Sequence, residues 1–357
     1  MRALRRLRQW GITLPGLSPG KLNAITDVEG VGVGHCSLVA GDSIRTGVTA
    51  ILPHFGNLFE EKVPAAVEVI NGFGKAVGIS QIKELGELET PIILTNTLSV
   101  GTALDALVEY KLERNPEIGR KLPTVNGFVA ECNDGWLNDI RARQVKGEHV
   151  RAALAAASRG LPPEGSVGAG TGMSSFGCKG GIGTSSRVSG EYTLGVLVLS
   201  NFGLWPQLKI AGIPVGMLLP HPGKAVETEK GSIVIIVATD APLDSRQLGR
   251  IAKRAGFGLA RTGSVAGHGS GDFVLAFSTG GKQQEISPDR LAASRLRDDK
   301  LGPLFAATVE ATEEAILNAL FTAGSMLGRD GNFRPALPVA DILNILTKYC
   351  PLHIEEE

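Results

Sequence analysis

The sequence predicts a layered α/β domain, sheet inside and helices outside, on three observations. Apolar β-branched runs bounded by turn residues recur along the chain, segments of helical periodicity alternate with them, and the runs are apolar at consecutive positions, so both faces of each strand must be covered. In chain order the strand-like runs are TPIILTN (90–96), PTVNGFVAE (123–131), YTLGVLVLSN (192–201), SIVIIVATD (232–240) and DFVLAFST (272–279). Helical segments are VGTALDALVEYKLE (100–113), DSRQLGRIAKRAGFGLA (244–260) and PLFAATVEATEEAILNALFTAG (303–324). Asp244 offers an N-cap carboxylate and Pro303 suits a first helical turn. A polar, Pro- and Gly-punctuated loop, LPHPGKAVETEKG (219–231), separates two of the strands, and no internal repeat is visible.

At 357 residues, 43% hydrophobic and 20% charged, the chain can bury a sizeable core. Lys plus Arg equals Asp plus Glu, 36 each, so no field of one sign steers it to nucleic acid or an anionic membrane; a small or neutral ligand is expected. Cys36, Cys132, Cys178 and Cys350 form no CxxC pair, which argues against a structural zinc and a disulfide framework and for a reducing compartment. The basic N-terminus MRALRRLRQWGITLPG lacks the apolar stretch of a signal peptide, and no segment approaches a membrane span, so a cytoplasmic location is expected. Glycine is the outlier at 47 residues, in clusters that mark tight turns and close backbone approach. No strict GxGxxG occurs, and NGFGKAVG lacks the Ser or Thr that a phosphate loop needs after its lysine.

One cluster leads straight into a strand: RTGSVAGHGSGDFVLAFST, residues 261–279. Ser270 lies between Gly269 and Gly271, with Asp272 next. One reading is a glycine turn whose Ser270 or Asp272 bonds loop amides. The other is a self-cleaving bond. The Ser270 hydroxyl attacks the Gly269 carbonyl, where no Cβ blocks the approach; an ester forms, and hydrolysis leaves Ser270 as a new N-terminus. That residue would then carry a nucleophile and, in an α-amine titrating near ~7.7–8.0, its own base.

These residues, with LNAITDVEGVGVGH (22–35), TGVTAILP (46–53), ILTNTLSVGTA (93–103), NDGWLNDI (133–140), GSVGAGTGM (165–173), VLVLSNFG (196–203), VATDAPL (237–243), ATEEAILNAL (311–320) and GRDG (328–331), resemble the DmpA family of L-aminopeptidase/D-alanine esterase-amidases and β-aminopeptidases. The resemblance runs in order from about residue 10 to about residue 340. It implies a four-layer α/β/β/α sandwich, shared with ornithine acetyltransferase, as one domain over 1–357. It implies a precursor that cuts itself into an α chain, 1–269, and a β chain, 270–357, which stay associated, as a homo-oligomer of such units. The implied activity is release of N-terminal residues from short peptides, amides or esters by Ser270, without metal or organic cofactor. Gly263–Ser264 is a second Gly-Ser bond, but only Ser270 matches the family's Ser-Gly-Asp entering a strand.

The resemblance also assigns supporting residues. Asn201, ending the run VLVLS, matches the family's oxyanion asparagine; otherwise it is a strand-end turn residue. The family's second donor, a tyrosine in the NDGxLND segment, is replaced here by Trp136, whose indole donates but cannot accept. A family Ser-x-Glu pair near the nucleophile has Thr312 and Glu314 as its nearest counterpart. Helical phase instead favours Glu313, which falls amid an arc of Phe305, Val309, Ile316, Leu317 and Leu320; alternatively Glu310, Glu313 and Glu314 form a solvated acidic face. His268 reads as a loop histidine, since no partner spacing supports a Ser-His-Asp triad. Asp272 is expected to brace the loop and hold the scissile bond in a strained turn. Two other functions stay open: an acyltransferase of the ornithine acetyltransferase type, and a non-cleaving binding protein with the same fold.

Overall fold

A computed structural model describes residues 4–223, 231–280, 283–287 and 290–349. Most of the loop expected at 219–231 and Cys350 lie outside them. The first sheet orders its strands β1 (Gly32–Ala40), β2 (Ile44–Leu52), β6 (Ile92–Asn96), β7 (Phe128–Cys132) and β4 (Ala76–Val77). The second orders β10 (Gly181–Ser189), β11 (Tyr192–Asn201), β12 (Ser232–Thr239), β13 (Gly271–Ser278), β3 (Val63–Gly72) and β5 (Glu87–Leu88). Helices α2 (Val100–Arg114) and α3 (Gly147–Ala155) cover the outside of the first sheet, and α5 (Ser245–Arg261) and α6 (Gly302–Phe321) that of the second. The molecule is therefore an α/β/β/α sandwich.

The consecutive apolar runs are explained by this layering. Along β12, Ile233, Ile235 and Val237 pack under the helices while Val234, Ile236 and Ala238 pack between the sheets. β13 divides the same way, Val274 and Ala276 outward, Leu275 and Phe277 inward. Each valine, isoleucine, leucine or phenylalanine among them contributes roughly 1.5–3 kcal/mol by its burial, and none of these positions is left for a polar face. Two strand pairs are parallel, β6 with β7 and β12 with β13, and each is joined by a crossover helix, α2 and α5. Asp244 caps α5, accepting from the Gln247 amide at 2.8 Å, and Pro303 sits in the first turn of α6.

Some boundaries differ from expectation. The run 123–131 is strand only over Phe128–Cys132. Helix α6 ends at Phe321; of the expected arc, Ile316, Leu317 and Leu320 are fully buried in the core together with Leu304, Ala307, Ala311 and Ala315, while Phe305 and Val309 are only partly buried. The alanines belong to the packed face because α6 sits so close to β10 that a Cβ on Gly183 would lie 2.0 Å from the Ala315 carbonyl oxygen.

Candidate active site

Ser270 immediately precedes β13, a strand paired on both sides, by β12 and β3. Its residue is 1% exposed. Its Oγ donates to Asp272 Oδ1 at 2.6 Å, both groups buried, so a carboxylate oxygen stands ready for the hydroxyl proton. The backbone around it is held from three directions. Ser270 N donates to Gly267 O at 2.9 Å, Gly271 N donates to Ser232 Oγ at 3.2 Å, and Asn71 Nδ2 donates to the carbonyls of Gly267, His268 and Ser270. The left-handed residues of the loop are Gly263 (φ 107°) and Ala266 (φ 47°). The expected strain is thus not in a left-handed Gly269 or Ser270; the side-chain bonds of Asn71, Asp272 and Ser232 hold the segment instead.

Register places Asn201 at the same end of the second sheet, since Asn201 pairs with Ser232 and Ser232 with Gly271. Its amide is fixed at both ends: Oδ1 accepts from Ser174 N at 2.8 Å and Nδ2 donates to Asn133 O at 3.1 Å. One of the two Nδ2 hydrogens remains to face a ligand. Asn133 begins the NDGWLND segment, which follows β7 at the corresponding end of the first sheet. The neighbouring Asp134 carboxyl is pushed up to about 7 by burial, despite hydrogen bonds from Thr46, Asn138 and Asn96. Trp136, also in that segment, is 46% exposed, and the Arg334 guanidinium stacks on its ring with the guanidinium carbon 4.3 Å from the centroid.

Glu131 was not foreseen. It is the penultimate residue of strand β7, is buried, and accepts from Lys75 N at 2.9 Å and from Thr97 Oγ1. Burial raises its pKa, with those hydrogen bonds opposing. A Cβ on Gly74 would lie 3.2 Å from Gly271 Cα and 3.3 Å from Glu131 Oε1, so only this glycine separates the carboxylate from the backbone next to Ser270. The signal available in the sequence was a glutamate ending the wholly apolar run FVA.

The three α6 candidates are buried but make no hydrogen bond to Ser270 among the described residues. Glu314 is fully buried and ion-paired with Arg8 at 2.8 Å and Arg187 at 2.7 Å, and it accepts from Asn23 at 2.5 Å. Burial opposes its charge, but the two guanidinium groups outweigh it and hold the carboxyl below its usual range. Glu313 pairs with Arg261 at 3.3 Å, and burial raises its pKa. Glu310 pairs with Arg187 at 3.2 Å. Thr312 Oγ1 has no hydrogen-bond partner, and its side chain faces Gly258 of α5. The solvated acidic face is therefore overturned: arginines far off in sequence, two before the first strand or on β10 and one ending α5, neutralise all three glutamates. His268 lies in the loop beside Phe73, ring centroids 6.1 Å apart.

The described residues contain no His/Cys/Asp/Glu cluster able to hold a metal ion and no helix long and apolar enough to cross a membrane. Cys36, Cys132 and Cys178 are free thiols.

The family model "Peptidase family S58" matches residues 23–334. The chain is 40% identical to the beta-peptidyl aminopeptidase BapA of Sphingosinicella microcystinivorans, over 96% of this chain and 92% of that protein. Among solved structures it resembles the PH0078 protein of Pyrococcus horikoshii OT3, with TM-score 0.92 and 51% identity over 97% of this chain and 99% of that one. It also resembles the L-aminopeptidase D-Ala-esterase/amidase of Ochrobactrum anthropi, described as a variant of the Ntn hydrolase fold, with TM-score 0.89 and 35% identity over 97% and 99% of the two chains.

Proposed function

Because the chain belongs to peptidase family S58, and is thereby a hydrolase of the aminopeptidase type, we propose that it cuts its own Gly269–Ser270 bond and then uses Ser270 as an N-terminal nucleophile. The observation that carries this reading is the buried hydrogen bond from Ser270 Oγ to Asp272 at the head of a central strand. Asp272 accepts the hydroxyl proton as Oγ attacks the Gly269 carbonyl carbon. The peptide C–N bond breaks, the nitrogen leaves protonated, and an ester joins Gly269 to Ser270 Oγ. Water hydrolyses that ester, giving a Gly269 carboxylate and a free Ser270 hydroxyl and amine.

In the processed enzyme the Ser270 amine takes the hydroxyl proton as Oγ attacks the substrate's first carbonyl. The spare Nδ2 hydrogen of Asn201 meets the developing oxyanion. Glu131, a buried carboxylate beside the nucleophile, receives the ammonium group that distinguishes an N-terminal residue from an internal one. The proton passes to the departing amine, and water releases the acyl group. The substrates are short peptides, amides and esters, with β-amino-acyl peptides among them, as the relative named a beta-peptidyl aminopeptidase supports.

Intact mass spectrometry of the wild type and Ser270→Ala tests the reading. Two wild-type masses, meeting at Gly269–Ser270 and summing to the precursor plus one water, are expected, with a single uncut, inactive Ser270→Ala chain. A full-length mass from active wild type, or cleavage in Ser270→Ala, refutes it.

A further inference from the structure

Arg334 is a buried cation that no acid answers among the described residues. It ends a short strand, Phe333–Arg334, and is 7% exposed. Its Nε donates to Ser174 Oγ at 3.1 Å, and its guanidinium lies on the Trp136 ring. Among the described residues it forms no ion pair, whereas the other buried arginine, Arg187, is met by Glu310 and Glu314. Desolvation lowers its pKa to about 10; the group opposing that shift is the Cys178 thiol, which burial pushes up to about 12 and so keeps neutral. An arginine buried without a carboxylate is costly. The arrangement is complete only when an anion arrives.

The place of this cation says which anion. Ser174 bonds both groups at once, its amide to Asn201 Oδ1 at 2.8 Å and its hydroxyl to Arg334. One residue therefore separates the guanidinium from the proposed oxyanion donor, and an extended peptide advances about 3.3–3.6 Å per residue. A dipeptide or tripeptide has two charged ends. On the reading above, Glu131 answers the ammonium, and the remaining charge within reach is the C-terminal carboxylate. The guanidinium fork matches a carboxylate with paired donors, and the half-exposed Trp136 ring offers an apolar wall to the departing residue.

We propose that Arg334, backed by Trp136 and Ser174, receives the C-terminal carboxylate of the substrate, so that di- and tripeptides with a free carboxylate are preferred to their amides and esters. This rests on the aminopeptidase reading of the same site.

The test compares kcat/KM of the processed wild type for β-alanyl-alanine and L-alanyl-alanine, each beside its C-terminal amide. A preference for the free acid of about 10-fold or more is expected, carried mainly by KM, since a charge-assisted hydrogen bond contributes roughly 1.5–3 kcal/mol. In Arg334→Met that ratio should fall towards one whatever the overall rate, and Arg334→Lys should keep part of it. Circular dichroism of both variants separates loss of recognition from loss of fold. A wild-type ratio near one, or the same ratio in wild type and Arg334→Met, overturns the inference and leaves the aminopeptidase reading intact. A wild type that hydrolyses no member of either pair overturns the proposed substrates, and this inference with them.

Discussion

At the scale of the residue, the site is a set of side chains whose hydrogen bonds leave one capacity spare. Asn201 is tied by Ser174 and Asn133, so its remaining amide hydrogen is preorganised. Removal of one oxyanion donor in a serine hydrolase lowers kcat by about 10²–10³. Asn201→Ala should do so with KM changed far less, in steady-state kinetics of the processed enzyme; a fall in KM-limited binding alone would exclude the role. Asp134 makes a second prediction. Its carboxyl titrates at about 7 when folded and near ~3.9 when unfolded, so between those values the folded chain holds an extra proton. The stability it confers is present below pH ~4 and is lost as pH rises through 7. The melting temperature of the wild type should accordingly fall relative to Asp134→Asn between pH 5 and pH 8, and an unchanged difference would show the carboxyl to be ionised throughout. Ser270 and Asn201 were legible as candidates because each sits at one end of an apolar run. Asn71, Glu131 and Ser232 were not, because what they do depends on strands brought alongside from far away in the chain.

At the scale of the element, five strands were readable, whereas the long strands β1, β2, β3 and β10 were not, because polar residues, glycine or proline interrupt their apolar runs. Runs such as SIVIIVATD have apolar residues for both faces, which only a strand between two packed layers requires. In α6 the predicted face held for Ile316, Leu317 and Leu320, and the alanines that let the helix approach β10 share it. The close approach at Gly183 is checkable: Gly183→Val must push the helix off the Ala315 backbone. We expect a loss of about 1–3 kcal/mol or more in denaturant unfolding, with β11 and the site disturbed beneath it. A neutral effect would mean that α6 is free to shift. The glutamates of α6 were unreadable for another reason. Their arginines, Arg8, Arg187 and Arg261, stand far away in the chain, and no local pattern reports such a pair.

At the scale of the whole molecule, the bond proposed to be cut leads into a strand that lies inside a sheet. β13 is hydrogen-bonded to β12 on one side and β3 on the other, and α6, which would belong to the same new chain, is packed between β10, β11 and α5. Cutting at Gly269–Ser270 therefore frees a terminus without freeing a piece, and both chains should elute together in gel filtration. Before the cut, the tether keeps the last strand and helix close to the layer they must enter; after it, the same docking becomes a bimolecular event. Denatured Ser270→Ala should recover its secondary structure on dilution, whereas denatured processed enzyme should not, and equal recovery of the two would contradict this. Under the proposed cleavage, the placement of Ser270 at the head of an interior strand would work as a ratchet on folding history: the mature enzyme would persist by the height of its unfolding barrier, not by the depth of its well.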